Sequence, residues 1–202
     1  MWFFNYFAGS YIFSSTVTSC YDMFIGYHKH KNRSFSETTT EIIKIIPNVF
    51  FNLVFITLPY TLLLEKHIED KPRNNYGIMF NMIASYLVTD ILFYSTHRLL
   101  HLPALYFIHK KHHEYEFPIG IGAMYAHPVD FFFTNLIPFT FPVFFYPPTY
   151  IIKLIIIISI STTVIQSHGG YTFLNSGHLD HHRYYKINYG LGPMDRLLGT
   201  HR

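Results

Sequence analysis

Cysteine is nearly absent from this sequence, whose 202 residues include a single one, Cys20. A disulfide within the chain is therefore excluded, and the composition gives no sign of an oxidising compartment. Charge is also scarce, because Asp, Glu, Lys and Arg together make up 13% of the chain, against about 25% in a typical soluble domain. The net charge of +3 is too small to indicate a nucleic-acid partner.

Hydrophobic residues take the place of the missing charges. Half of the chain is hydrophobic and 19% is aromatic, so too few charged side chains remain to cover the surface of a soluble domain. The composition therefore predicts an all-α integral membrane protein, because helices satisfy their own backbone hydrogen bonds in lipid. The basic residues are expected in loops on the cytosolic side of the membrane.

Apolar runs predict where the chain enters the membrane. Met1–Tyr27 lacks the basic start of a signal peptide and is interpreted as a transmembrane or interfacial helix. Ile42–Leu64 and Tyr76–Thr96 are each long enough to cross about 30 Å of hydrocarbon. Two adjacent prolines predict a hairpin, whose arms are Phe131–Tyr146 and Tyr150–Ile165. The sequence thus predicts about four to five transmembrane or re-entrant helices.

Histidine is the residue in excess. Ten of the fourteen histidines lie between positions 97 and 182, at the ends of the predicted spans and in the polar segments beside them. Eight of the ten form three clusters, one spaced i, i+4 and two spaced i, i+3, i+4: His97 and His101; His109, His112 and His113; His178, His181 and His182. On a helix the rings of one such cluster fall within an arc of roughly 100° and point the same way.

These clusters predict a metal site. A lone histidine is usually a surface or hydrogen-bonded core residue, but three clusters at helical spacing are not explained in that way. Neutral imidazole binds first-row transition metals, and eight donors are too many for one ion, so we expect a dinuclear site in a histidine-rich helical cap on the cytosolic side. Two further candidates are His127, which would cap the next helix, and His168, which follows the last apolar arm. His28, His30 and His67 are interpreted as solvent-facing.

Asp90 is an acidic residue inside a predicted span. Ionisable groups at this depth are costly and are usually functional. Asp90 precedes His97 by two helical turns, so both lie on one face, and the carboxylate is predicted to hydrogen-bond a ligand imidazole and orient it. The alternative is an aspartate that is hydrogen-bonded to another helix.

The donor set favours iron. It lacks the Glu and Glu-x-x-His pattern of soluble di-iron bundles, but iron still suits it, because iron changes oxidation state and activates O₂ whereas zinc does not. A metal site at the membrane surface is accessible to a lipid whose apolar body stays in the bilayer. The residues therefore predict O₂-dependent oxidation of a lipid C–H bond. Three alternatives stay open: a metal transporter or metal-storing protein, a non-catalytic lipid-binding protein, and a zinc hydrolase.

Two stretches of the sequence carry a family resemblance. The first runs from Asp90 through the clusters at 97–113 to the segment Ala-His-Pro-Val-Asp at 126–130. The second runs from His178 through Asn-Tyr-Gly at 188–190 to Asp-Arg-Leu-Leu-Gly-Thr at 195–200. Together they resemble the fatty acid hydroxylase superfamily, and within it the sterol desaturase and sterol hydroxylase branch. The predicted domains are accordingly 1–75, the N-terminal membrane segments, and 76–202, the catalytic domain.

The resemblance implies a non-heme di-iron oxidoreductase of the endoplasmic reticulum membrane, with its metals facing the cytosol. Such a protein uses O₂ to hydroxylate or desaturate a sterol or fatty acyl lipid, with electrons from NAD(P)H through a reductase and cytochrome b5. The eight clustered histidines are the implied ligands, and His127 and His168 match further histidines that relatives place near the metals. Val164 stands where some relatives have another histidine, and Met194 where a tryptophan is common.

Overall fold

The computed structural model describes residues 1–21, 34–66, 78–115, 119–142 and 177–202, with isolated positions from 154 to 168. Within these residues every regular element is helical and none is a strand. The all-helical prediction is thereby confirmed for the described part of the chain. The number of membrane crossings, their orientation and the division into two domains stay predictions.

Two helices come first along the chain. Helix α1 is Trp2–Tyr21, and α2 is the continuous run Phe35–Glu65, which widens into a π-helix at Asn52–Thr57. A capping box begins α2, because the Ser34 hydroxyl accepts the Glu37 N–H and the Glu37 carboxylate accepts the Ser34 N–H.

One helix of the described residues is long and apolar enough to cross a membrane. It is α2, in which a stretch of 18 residues has a mean hydropathy of 1.8, and it contains the predicted span Ile42–Leu64. The second predicted span, Tyr76–Thr96, falls on helix α3, Ile78–Leu100; its crossing of a membrane stays a prediction. The tip of the predicted hairpin lies outside the described residues.

The remaining helices are short and surround the histidines. Helix α4 is Tyr106–His109, and 3₁₀ turns follow at His112–Glu114 and Gly120–Met124. Helix α5 combines Pro128–Asp130, a π-helical stretch Phe131–Leu136 and Ile137–Thr140. Helices α6 and α7 are His178–Tyr184 and Pro193–Leu197.

The structure differs from the expectation of one continuous helix under the second histidine cluster. Helix α4 ends at His109, and the chain passes through a turn before the 3₁₀ turn begins at His112. Lys110 and Lys111 nevertheless keep right-handed helical backbone angles, and Lys110 N–H donates to the Tyr106 carbonyl at 2.8 Å. The three histidines therefore keep directions close to those of a helix, and the tighter winding is confined to the 3₁₀ turn.

Helix α2 fixes the turn that leads to the histidines. The Asn52 side chain is fully buried, and its Nδ2 donates to the carbonyl oxygens of Met124 at 2.9 Å and Ala126 at 3.1 Å. Asn48 on the same helix accepts the Ala126 N–H at 3.1 Å. The turn at Gly120–Met124 is therefore tied to α2 by hydrogen bonds as well as by apolar packing.

Helix α1 covers the other side of this turn. Phe3, Phe7 and Tyr11 of α1 are buried in one apolar cluster with the residues around Met124. Gly120 approaches α1 so closely that an added Cβ would lie 2.7 Å from the Thr18 side chain. The N-terminal helices thus form the support against which the histidine-bearing segments are placed.

Candidate metal centre

Nine of the ten candidate histidines come together in two groups. Within each group the potential ligand nitrogens all lie within 4.8 Å of one another. We name them group A, with His97, His101, His109, His113 and His181, and group B, with His112, His168, His178 and His182. All except His101 are buried, and His101 is half-buried.

Helical geometry explains how the two triplets divide between the groups. Residues i and i+4 are about 40° apart around a helix, while i+3 lies on the other side of i, about 60° away. In the second cluster the i and i+4 histidines, 109 and 113, belong to group A and the i+3 histidine, 112, belongs to group B. The third cluster has the reverse arrangement, with 178 and 182 in group B and 181 in group A. Each triplet therefore contributes to both groups.

Among the described residues, four rings of the two groups are held by hydrogen bonds from their Nδ1 atoms. His97 donates to the Tyr189 carbonyl at 2.7 Å and His181 to the Ile187 carbonyl at 2.6 Å. The other two bonds run from His109 to an Asp130 carboxylate oxygen at 2.8 Å and from His112 to the Tyr125 carbonyl at 3.2 Å. A carbonyl or carboxylate oxygen accepts only, so each Nδ1 carries the proton and each Nε2 presents a lone pair.

The Nε2 atoms of group A face one another at the spacing that a metal ion requires. His109 Nε2 lies 3.0 Å from the Nε2 atoms of both His97 and His113. His181 Nε2 lies 3.0 Å from that of His101 and 3.2 Å from that of His113. Imidazole nitrogens bind a divalent ion such as zinc at about 2.1 Å, so two of them at right angles around one ion are about 3.0 Å apart. Group A therefore fits a transition-metal ion.

Group B fits a second ion on a different observation. His182 is fully buried, and neither of its ring nitrogens has a hydrogen-bond partner among the described residues. Buried polar atoms are normally hydrogen-bonded, so an unpartnered imidazole beside three others is explained by a metal ligand role. The groups adjoin, because the rings of His113 in group A and His182 in group B have centroids 4.6 Å apart. The two ions would be neighbours.

Burial favours the neutral form of three of the rings. Burial and the nearby His109 and His112 lower the pKa of His101 to about 3. Burial and the nearby His109 lower the pKa of His112 to about 4. Burial also lowers the pKa of His182 well below its ordinary value, with His112 and His113 adding to the effect. At neutral pH these three imidazoles are therefore neutral, which is the state that binds metals.

His127 differs from the prediction that it joins the site. Its side chain is exposed and lies in neither group. Its Nδ1 instead accepts the Val129 N–H at 3.3 Å, so the ring caps the start of helix α5. The expected capping position is correct, but the local hydrogen bond holds the ring away from the metal groups.

Asp90 also differs from its predicted role. It is fully buried, yet its two carboxylate oxygens accept the backbone N–H groups of Leu191 at 2.6 Å and Met194 at 2.7 Å rather than a proton of His97. The carboxylate that hydrogen-bonds a histidine of the site is Asp130, to which the sequence patterns assigned no role beyond its place in the resembling segment 126–130. Asp130 is 1% exposed and is held in turn by the Thr134 hydroxyl at 2.9 Å.

Comparison with known proteins gives a family match over the part that holds the site. The family model described as fatty acid hydroxylase matches residues 82–200. Fatty acid hydroxylase ahd1 of Mycosarcoma maydis is 29% identical over 180 residues, which cover 82% of this chain and 47% of that protein. Fatty acid hydroxylase domain-containing protein 2 of Homo sapiens is 34% identical over 169 residues, 77% of this chain and 50% of that protein.

A sterol-modifying enzyme is also among the relatives. Lathosterol oxidase of Mus musculus is 30% identical over 138 residues, which cover 63% of this chain and 46% of that protein. The chain thus spans about half the length of the curated relatives it matches. The search of solved structures found no significant match.

Proposed function

Because the chain belongs to the fatty acid hydroxylase family, with relatives in its sterol desaturase branch, we propose that it is a membrane-bound di-iron oxidoreductase. It uses O₂ to hydroxylate or desaturate a C–H bond of a sterol or fatty acyl lipid. The observation that carries the proposal is the pair of adjoining histidine groups, in which nine imidazoles converge on two positions. When bound there, iron supplies the activation of O₂ that the side chains alone do not.

The chain's own residues hold and shape this centre. Groups A and B supply the ligand nitrogens, while Asp130 and the carbonyl oxygens of Tyr125, Ile187 and Tyr189 keep four rings turned toward the ions. Such hydrogen bonds fix the tautomer of a ligand imidazole and raise its basicity. Burial of the groups excludes bulk water from the place where the lipid would react.

An aromatic wall next to the histidines is the surface on which we place the lipid. The Phe93 ring lies 5.2 Å from the His97 ring and 5.7 Å from the Phe139 ring, measured between centroids. Phe93 belongs to α3 and Phe139 to α5, so the wall lies where these two helices meet, next to the His97 ring. An apolar chain packed on this wall would have its reacting carbon next to group A.

The membrane setting is part of the proposal. Helix α2 has the length and hydropathy of a transmembrane helix, and α3 exposes a row of large apolar side chains that suit lipid: Met79, Phe80, Ile83, Leu87 and Ile91. The endoplasmic reticulum, a cytosolic orientation and electrons from NAD(P)H through a reductase and cytochrome b5 complete the proposed assignment. The names of two relatives, lathosterol oxidase and Delta(7)-sterol 5(6)-desaturase, support a sterol as the lipid in this proposal.

Lipid mass spectrometry tests this function. The protein is expressed in a sterol-producing host beside the double variant His181→Ala, His182→Ala, which removes one ligand from each group, and beside His201→Ala, which removes an exposed histidine outside both groups. We expect a lipid product with one added oxygen or two fewer hydrogens in the wild type and in His201→Ala, absent from the double variant. The product also identifies the lipid.

The alternative functions give different results. A wild-type lipid profile equal to that of the empty host, together with no O₂ consumption by iron-loaded protein across a sterol and fatty acyl panel, would refute the oxidoreductase. Metal movement into vesicles would then indicate a transporter. Product formation without O₂ would indicate a hydrolase.

A further inference from the structure

A short loop after the third histidine cluster contacts ligands of two different clusters. Its Ile187 carbonyl accepts a hydrogen bond from the Nδ1–H of His181, and its Tyr189 carbonyl accepts one from the Nδ1–H of His97. His181 belongs to α6 and His97 to α3, so one loop orients rings that come from separate parts of the chain. Both rings are in group A.

The residue between the two carbonyls is held from three sides. Asn188 has a positive φ of 51°, a left-handed conformation that Asn tolerates better than most residues. Its N–H donates to the Thr200 carbonyl at 2.8 Å, its side chain donates to the Gly177 carbonyl at 3.1 Å and accepts the Arg202 N–H at 3.0 Å. This conformation turns the carbonyls on either side toward the histidines.

Two buried carboxylates hold the next part of the loop. Asp195 accepts the N–H groups of Tyr189 at 2.8 Å and Gly190 at 2.7 Å. Asp90 accepts the N–H groups of Leu191 and Met194. The side chains of Asp90 and Asp195 are at most 1% exposed. A buried charge is costly unless it is hydrogen-bonded, and each of these is hydrogen-bonded to the loop backbone.

We infer that Asp90 and Asp195 are positioning residues of the metal centre, which act on group A through the backbone of residues 187–194. They fix the Tyr189 and Ile187 carbonyls, and those carbonyls fix the tautomer and direction of His97 and His181. Among the described residues no carbonyl of this loop is hydrogen-bonded to a group B ring, and the His112 ring of group B is held by the Tyr125 carbonyl instead. The assignment rests on the proposed metal centre and makes one of its two sites dependent on the loop.

The test is Co²⁺ titration of the purified metal-free protein, followed by absorption spectroscopy. Two backgrounds isolate the sites by reducing one group to three histidines. His182→Ala weakens group B and leaves the group A ion, and the double variant His101→Ala, His113→Ala weakens group A and leaves the group B ion. Asp195→Asn and Asp90→Asn are added to each. In the His182→Ala background we expect the remaining ion to bind 10–100-fold more weakly, the range typical for lost ligand-orienting partners, with a shifted spectrum. In the His101→Ala, His113→Ala background we expect no change.

Two further variants separate positioning from general damage. Gly190→Ala keeps every charge but places a Cβ 2.6 Å from an Asp90 oxygen and 3.2 Å from an Asp195 oxygen, so it should weaken the same ion. Asp180→Asn removes a carboxylate from α6 that does not hold the loop backbone, and it should leave both ions unchanged. Gly9→Ala, where an added Cβ meets nothing within 4 Å, is the matched glycine control.

The results distinguish a role in positioning the ligands from a role in maintaining the fold. Equal weakening in both backgrounds would show that the carboxylates only maintain the fold, and unchanged binding in both would show that the loop does not orient the ligands; either overturns the inference. A wild-type protein that binds fewer than two ions would refute the metal centre itself, and this assignment with it.

Discussion

At the scale of single residues, the site depends on what lies behind each imidazole. His109 and His112 are three residues apart, yet one is held by the Asp130 carboxylate and the other by a backbone carbonyl. A carboxylate polarises the ring more strongly than a neutral carbonyl does, because its hydrogen bond is charge-assisted. The Nε2 of His109 lies 3.0 Å from the Nε2 atoms of two other rings in group A. Asp130 therefore controls a ligand that has two close neighbours in its group.

Asp130→Asn tests this control. The substitution removes the negative charge behind His109 while keeping the size of the side chain, so we expect the group A ion to bind 10–100-fold more weakly. The measurement is competition with a chelator of known affinity. His127→Ala serves as the control, since its ring lies on the first turn of the same helix but outside both groups. An equal loss in the two variants would contradict the assignment.

At the scale of elements, the histidine spacing predicted that the clusters meet. The same spacing also determines which histidine belongs to which group, which the prediction did not include. The i, i+4 pairs and the i+3 residues separate by angle, so the division into groups A and B was present in the spacing. The Asp130 contact was not visible in that way, because the partner of His109 comes from a helix that begins after a turn. Asp90 was identified as buried and functional, but its partners are backbone N–H groups, which no side-chain pattern records.

The prediction at this scale concerns the support that helix α2 gives to the turn at Gly120–Met124. Asn52→Ala removes the donor for the Met124 and Ala126 carbonyls, and an unsatisfied buried polar group costs about 1–3 kcal/mol. We expect a lower midpoint of thermal unfolding in detergent, together with weaker binding of the group B ion, since the Tyr125 carbonyl that orients His112 lies between those two residues. Thr40→Ala, an exposed position on the same helix, should change neither value. If Asn52→Ala matched that control, α2 would not support the site.

At the scale of the whole molecule, one part of the chain supports the metal centre and another part carries its ligands. Helices α1 and α2 precede the family match at 82–200 and hold the turn at Gly120–Met124 by packing and hydrogen bonds. The segments inside the match bring the histidines together from α3, α4 and α6 and from the 3₁₀ turn at His112–Glu114. The apolar composition suggested a membrane protein, whereas the number of crossings depends on contacts with lipid that a sequence pattern does not specify.

The number of irons per chain tests the central claim most directly. Protein reconstituted with Fe²⁺ without O₂ is freed of unbound metal. Its iron is quantified by mass spectrometry for the wild type, the double variant His101→Ala, His113→Ala and the single variant His182→Ala. The account predicts two irons in the wild type and about one in each variant, because each change reduces one group to three histidines and leaves the other intact. One iron or none in the wild type, or two retained in both variants, would contradict a centre built from two adjoining histidine groups.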